Sequence, residues 1–180
     1  MCHILLQTPK FFQLLLQIDI DLAKQTRAGK CPNCDGTLHV ADYPRKPRGC
    51  PPEVLADYES RFSFCCGQCR KRTTAVSVRF LGRRVYLSLL VVLLPTCGMT
   101  EAAKELCKTL NVPALTIRRW RDWWARLFPA TPLWQAECAR FMPPVKTAEL
   151  PDSLIARFIG SAAESMAKLL VFLSPLTVRQ

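Results

Sequence analysis

Apolar residues recur at steps of four, three and four through Phe11, Leu15, Ile18 and Leu22. That spacing lines one face of a helix and predicts one from about Pro9 to Arg27, ended by Gly29. After the Asp35-Gly36 turn signal the pattern changes to alternation. Thr37–Ala41, then Arg61–Cys65 with Phe62 and Phe64, then Thr74–Phe80 with Val76, Val78 and Phe80 against Ser77 and Arg79 follow the strand period of two. They predict about three short antiparallel strands. Residues 42–60 interrupt them with Pro44, Pro47, Pro51 and Pro52. Proline removes backbone donors, so this stretch reads as a looped-out insertion.

A turn over Leu81–Arg84 leads to Val85–Leu94, the most apolar run of the chain, stopped by Pro95. Ten residues are too few to cross a bilayer, so the run reads as a buried helix. A second helix opens at Thr100, a good N-cap, with Glu101 in its first turn to suit the dipole and an inner face of Ala103, Leu106, Cys107 and Leu110. Asn111-Val112-Pro113 makes a short turn, because Asn tolerates the left-handed conformation and Pro suits a helix start. A third helix runs from about Ala114 to Phe128. Its inner face carries Ile117, Trp120, Trp124 and Phe128; its outer face carries Leu115, Arg118, Arg119, Asp122 and Arg126. Trp120, Trp123 and Trp124 read as core anchors rather than stacking platforms.

Five prolines between Pro129 and Pro151 mark an irregular connector. A last helix, Leu154–Leu173, capped by Asp152 or Ser153, shows Leu154, Phe158, Met166, Leu169 and Leu173 on one face. That face either closes the helical domain or meets a second copy in a homodimer. The fold class expected is therefore α+β. An N-terminal helix (1–30) precedes a small β module (31–82) with an inserted loop (42–60), a helix-turn-helix unit (83–129), a connector (130–151) and a C-terminal helix (152–180).

Cysteine spacing adds chemistry to this outline. Cys31-Pro32-Asn33-Cys34 and Cys66-Gly67-Gln68-Cys69 are two Cys-x2-Cys knuckles. Each tight turn aims two sulfurs at one side, and two knuckles supply the four sulfur ligands of a structural Zn2+. The order knuckle, strand, loop, strand, knuckle, strand is that of a zinc ribbon with an insertion. Such a small core needs the metal to fold. Cys65 is the alternative to Cys66, but adjacent residues on a strand point opposite ways, and only Cys66 keeps the knuckle spacing to Cys69. His39, on the first strand, is a minor fifth candidate, since four cysteines already fill a tetrahedral shell. A redox pair would need a βαβ context that the pattern lacks.

The chain has 180 residues, ten cysteines and a formal net charge of +11. The charge favours a polyanionic partner. Residues 27–88 hold twelve Lys and Arg against five Asp and Glu, net +7. Arg45, Lys46 and Arg48 of the loop and Arg70, Lys71 and Arg72 after the second knuckle are candidate phosphate contacts. Arg118, Arg119, Asp122 and Arg126 form the candidate DNA face of the third helix, which a helix-turn-helix places in the major groove. No secretory signal or membrane span is recognisable, so reduced thiols in the cytoplasm are expected.

Several strings together carry a resemblance: Cys31–Cys34 with Leu38-His39, Ala41–Gly49, Arg61–Cys66, Ser77–Tyr86, Arg118–Arg121 and Phe128–Pro132. Over most of residues 10–175 the chain resembles the small zinc-ribbon and helix-turn-helix proteins encoded by bacterial insertion sequences beside or in place of the transposase. The resemblance implies binding to mobile-element DNA, and a transposase as partner. The turn carries Asn111 and Pro113 where such units often have Gly and Ser, and Ala114 and Leu115 open the helix where polar base readers are usual. The expected function is DNA binding without catalysis. One rival is a protein–protein adaptor acting through the ribbon. Another is a shortened transposase, which needs carboxylates gathered around two metal ions. The acids after Pro129 (Glu137, Glu149, Asp152 and Glu164) form no such set.

Overall fold

The computed structural model describes residues 2–81, 85–98 and 100–178. Helix α1 (Cys2–Leu6) precedes α2 (Pro9–Ala28), which starts on a proline and ends at Gly29, as the pattern predicts. Five short strands follow, with one helical turn among them: β1 (Leu38–Val40), β2 (Tyr43–Pro44), α3 (Leu55–Tyr58), β3 (Ser60–Arg61), β4 (Ser63–Cys66) and β5 (Arg72–Thr74). β4 is central in an antiparallel β1-β4-β5 sheet, with Leu38 opposite Cys66, Val40 opposite Phe64 and Ser63 opposite Thr74. The period-two register sends Leu38, Phe64 and Cys66 to one buried face, where Ala23 of α2 and Ala75 close a small core.

Residues 42–60 are not a loop standing clear of the fold. β2 pairs with β3, Val54 and Tyr58 are buried in the larger core, and the Tyr58 hydroxyl donates to the Phe12 carbonyl at 2.8 Å. Gly49 adopts φ +73° against the Leu90 side chain, a place where any Cβ would collide. The prolines bar a central strand, as expected; they do not bar packing.

The segment expected as one strand over Thr74–Phe80 leaves the sheet at Thr74. Beyond it Ser77, Val78, Arg79 and Phe80 are all buried, so the alternation does not mark an exposed face. The cause is Asp19 of α2, 2% exposed. Its carboxylate accepts from Arg79 Nε at 2.7 Å, Ser77 Oγ at 2.6 Å and the Val78 N–H at 2.6 Å. Arg79 also donates to the carbonyls of Asp57 and Ser60, and its guanidinium lies 4.9 Å from the Phe62 ring centre and 5.1 Å from that of Tyr58. A buried charge is tolerable only when paired and hydrogen-bonded in this way.

Helix α4 (Ser88–Thr96) runs through the centre of the larger core, buried from Ser88 to Pro95, as suits a helix apolar on all sides. Pro95 does not stop it but sits in its last turn. Proline has no N–H, so the Val91 carbonyl loses its partner four residues on. The indole of Trp124 supplies that donor, with Nε1 2.9 Å from the Val91 oxygen. Arg121 closes the same helix end, giving Nε to the Pro95 carbonyl at 3.1 Å and Nη2 to that of Cys97 at 2.7 Å.

Helix α5 (Glu101–Thr109) is capped by Thr100, whose hydroxyl accepts from the Ala103 N–H. The expected turn then forms, with Asn111 at φ +51°. The Val112 N–H bonds to Cys107 O at 2.8 Å and the Asn111 N–H to Lys108 O at 2.9 Å, a Schellman ending with Val112 buried behind it. Helix α6 (Ala114–Asp122) continues into a wider π turn over Trp123–Leu127. That turn leaves Trp120, Trp124 and Phe128 all facing the core.

The connector contains α7 (Pro132–Glu137), which buries Trp134 against Phe128. The expected C-terminal helix is two, α8 (Asp152–Ile155) and α9 (Ala162–Leu173). Gly160, at φ +142°, ends the first stretch, and Ser161 with Glu164 forms a reciprocal capping box for the second. Leu154, Met166, Leu169 and Leu173 bury into the larger core, with Phe158 packed on it. The turn expected over Leu81–Arg84 falls largely on Gly82, Arg83 and Arg84, outside the described residues.

Candidate functional site

The two knuckles are built alike. In the first, the Asp35 N–H bonds back to Cys31 O at 2.9 Å and the Cys31 N–H to Gly36 O at 3.0 Å. In the second, the Arg70 N–H bonds to Cys66 O at 3.1 Å and the Cys66 N–H to Lys71 O at 3.0 Å. Each turn needs one left-handed residue directly after its second cysteine: Asp35 at φ 54° and Arg70 at φ 59°. Asp tolerates that conformation better than Arg. This role for Arg70 leaves one trace in the sequence: Arg70 and Asp35 hold equivalent places after the second cysteine of each knuckle.

Packed by the sheet and α2, the knuckles bring Cys31, Cys34, Cys66 and Cys69 together, with all four sulfurs within 4.8 Å of one another. Cys31 Sγ lies 3.6 Å from Cys69 Sγ, and Cys34 Sγ lies 3.5 Å from Cys66 Sγ. A disulfide needs about 2.05 Å. A tetrahedron of sulfurs each about 2.3 Å from one ion has edges of about 3.8 Å, close to these separations. Cys65 faces away, its Sγ against the Arg70 carbonyl at 3.5 Å, so of the adjacent pair it is Cys66 that joins the group. His39 is exposed opposite Cys65 and stands outside it.

The electrostatics also suit a cation. Backbone N–H groups of Cys69 and Gln68 aimed at Cys66 Sγ hold that thiol down to about 6. The Asn33 N–H lowers Cys31 in the same way. At Cys69 the Lys71 N–H favours the thiolate, but desolvation and the three neighbouring sulfurs outweigh it and push the thiol up to about 12. Thiolate-stabilising donors reach Cys31, Cys66 and Cys69 within a group of four sulfurs, and a bound metal ion would relieve the repulsion between their charges. By contrast, burial pushes Cys50 up to about 12, leaving an inert thiol.

The basic candidates divide. Arg118 and Arg119 are exposed on α6, across from Trp120. Arg126 pairs with Asp122 at 2.8 Å, so these two partly cancel. Lys46, Arg48, Arg70 and Lys71 are exposed; Arg48 leans over Tyr86 and Lys71 donates to Asn33 Oδ1 at 3.2 Å. Arg45 is half-buried and Arg72 exposed, and both also serve the fold. Arg45 stacks over Phe80 and Tyr43, while Arg72 bonds Ser63 Oγ at 2.6 Å and the Ala41 carbonyl.

Fold and site thus define an α+β protein with a small antiparallel sheet and a four-cysteine centre able to hold a metal ion. Among the described residues no helix is long and apolar enough to cross a membrane. No family model matches the chain, and neither do any curated proteins or solved structures compared with it.

Proposed function

We propose that the chain is a zinc-dependent DNA-binding protein of a bacterial mobile element, without catalysis of its own. Zinc is the ion favoured by four thiolates at tetrahedral spacing in a site with no open position. Metal analysis should return about one equivalent per chain, lost in Cys66→Ser/Cys69→Ser.

The observation that carries DNA binding is the exposure of Arg118 and Arg119 on a helix whose opposite side is fixed to α4 by Trp120, Trp124 and Arg121. Under this reading α5, the Asn111 turn and α6 act as a helix-turn-helix, and Lys46, Arg48, Arg70 and Lys71 add a weaker phosphate footprint. The assignment to a mobile element, with its DNA ends and transposase as partners and the cytoplasm as location, rests on the sequence resemblance alone.

The test is Arg118→Ala/Arg119→Ala, checked for folding by circular dichroism and titrated with element-end duplex at several salt concentrations. Phosphate contacts predict broadly weakened binding and a salt slope reduced by roughly one unit per contact. A folded double variant that binds as tightly as the parent across the series would remove α6 from the DNA and leave the adaptor reading in front.

A further inference from the structure

A cleft of about 850 Å³ lies between α5, α6 and the end of α4. Its floor is apolar, with Leu94, Val112 and Ile117, and its borders carry Lys104, Lys108 and Arg118. Among the described residues no carboxylate lines it. Leu115, at the start of α6, also lines it and is 57% exposed. Arg121 also lines the cleft, but its guanidinium is engaged by the α4 carbonyls.

We propose that this cleft is a docking groove for an acidic amphipathic helix of a partner protein. The nine residues of α5 span about 13 Å, so the groove can take two to three helical turns. Apolar anchors at i, i+3 or i+4, and i+7 would cover Leu94, Val112, Leu115 and Ile117. Acidic residues beside them would meet Lys104, Lys108 and Arg118. The two lysines are paired to Glu101 and Glu105 on the α5 surface, at 2.6 Å and 3.3 Å. Exposed pairs of that kind are weak, so the ammonium groups can turn to an incoming carboxylate. This assignment shares Arg118, Leu115 and the α5–α6 pair with the DNA reading, and its test uses peptide binding without DNA, so the two can fail separately.

The test uses the full zinc-loaded chain as bait for a display library of random peptides, with Leu115→Glu as counter-bait. Leu115 is exposed, so this change leaves the core closed while setting a negative charge at the groove. Peptides that depend on Leu115 should share acidic residues and apolar residues at i, i+3 or i+4, and i+7. A synthesised winner should bind in fluorescence anisotropy and weaken at least about tenfold in Lys104→Gln/Lys108→Gln, with circular dichroism showing the fold retained. The proposal is overturned if no enriched sequence depends on Leu115, or if those that do lack acids or the helical spacing. It is equally overturned if the winner binds the double lysine variant as well as the parent. Binding of dodecanoate without any such peptide would make the cleft a small-molecule site. A dimer of the chain alone that Leu115→Glu dissolves would put a second copy there, and either result displaces the partner helix.

Discussion

The sulfur-centred sheet and the core around α4 are stabilised by different means. The sheet's strands are two to four residues long, and its core is Ala23, Cys31, Leu38, Phe64, Cys66 and Ala75 flanked by Phe62 and Cys69. That is little apolar surface to set against the entropy of ordering the segment, and the proposed ion on the four sulfurs would supply the difference. The larger core encloses α4 with Trp120, Trp124, Phe128, Trp134 and the face of α9, and has no such need. One stripe of α2 belongs to both: Leu15 packs into the larger core and Ala23 into the smaller, with Asp19 between them at the same helical spacing. Under the proposed zinc reading, a metal-dependent module is fastened to a metal-independent one through the buried Asp19–Arg79 ion pair at their seam.

Removing the proposed metal tests that division most severely. A chelator should abolish hydrogen-exchange protection across β1, β4 and β5 while amides of α4 and α9 stay protected. Structural zinc supplies about 10–16 kcal/mol of apparent binding energy in small zinc domains, more than this sheet can replace. If both regions lose protection together, they are one cooperative unit and the comparison fails.

Next in size is the seam. Asp19→Ala leaves Arg79 charged and buried without its carboxylate and is expected to cost about 3–5 kcal/mol in denaturant unfolding. Asp19→Ala/Arg79→Met should recover part of the loss by removing the stranded charge. Were the single variant as stable as the parent, the pair would not be what fastens the two regions.

Trp124→Phe sharpens the picture inside the larger core. It keeps an aromatic ring but leaves the Val91 carbonyl beside Pro95 without its donor, for about 1–3 kcal/mol plus a term for the smaller ring. The loss should appear in thermal unfolding. Smallest of all, Ser161→Ala removes one half of the α9 capping box for about 1 kcal/mol. Its effect should be confined to faster exchange in the first turn of α9.

Features set by local chemistry were open to reading in the chain itself. The two-residue spacing of the cysteines brings two sulfurs to one side of each turn whatever surrounds it, and alternation along Cys65 and Cys66 chooses between neighbours. Thr100 begins α5 by accepting from the Ala103 N–H and Asn111 ends it in the left-handed conformation, both local effects, so those boundaries were also legible, as was the inward face of α6. Where a residue's meaning depends on a distant partner, the pattern misled. Asp19 interrupts an apolar helix face, and Ser77 and Arg79 look like the wet side of a strand, yet all three are buried because they satisfy one another across some sixty residues of chain. Pro95 reads as a stop, but Trp124 replaces the donor it lacks. Arg45 and Arg72 look like phosphate contacts, and only the tertiary structure turns them onto rings and carbonyls. Hydropathy assigns a polar group to water by default, and only the folded chain can supply the partners that make its burial affordable.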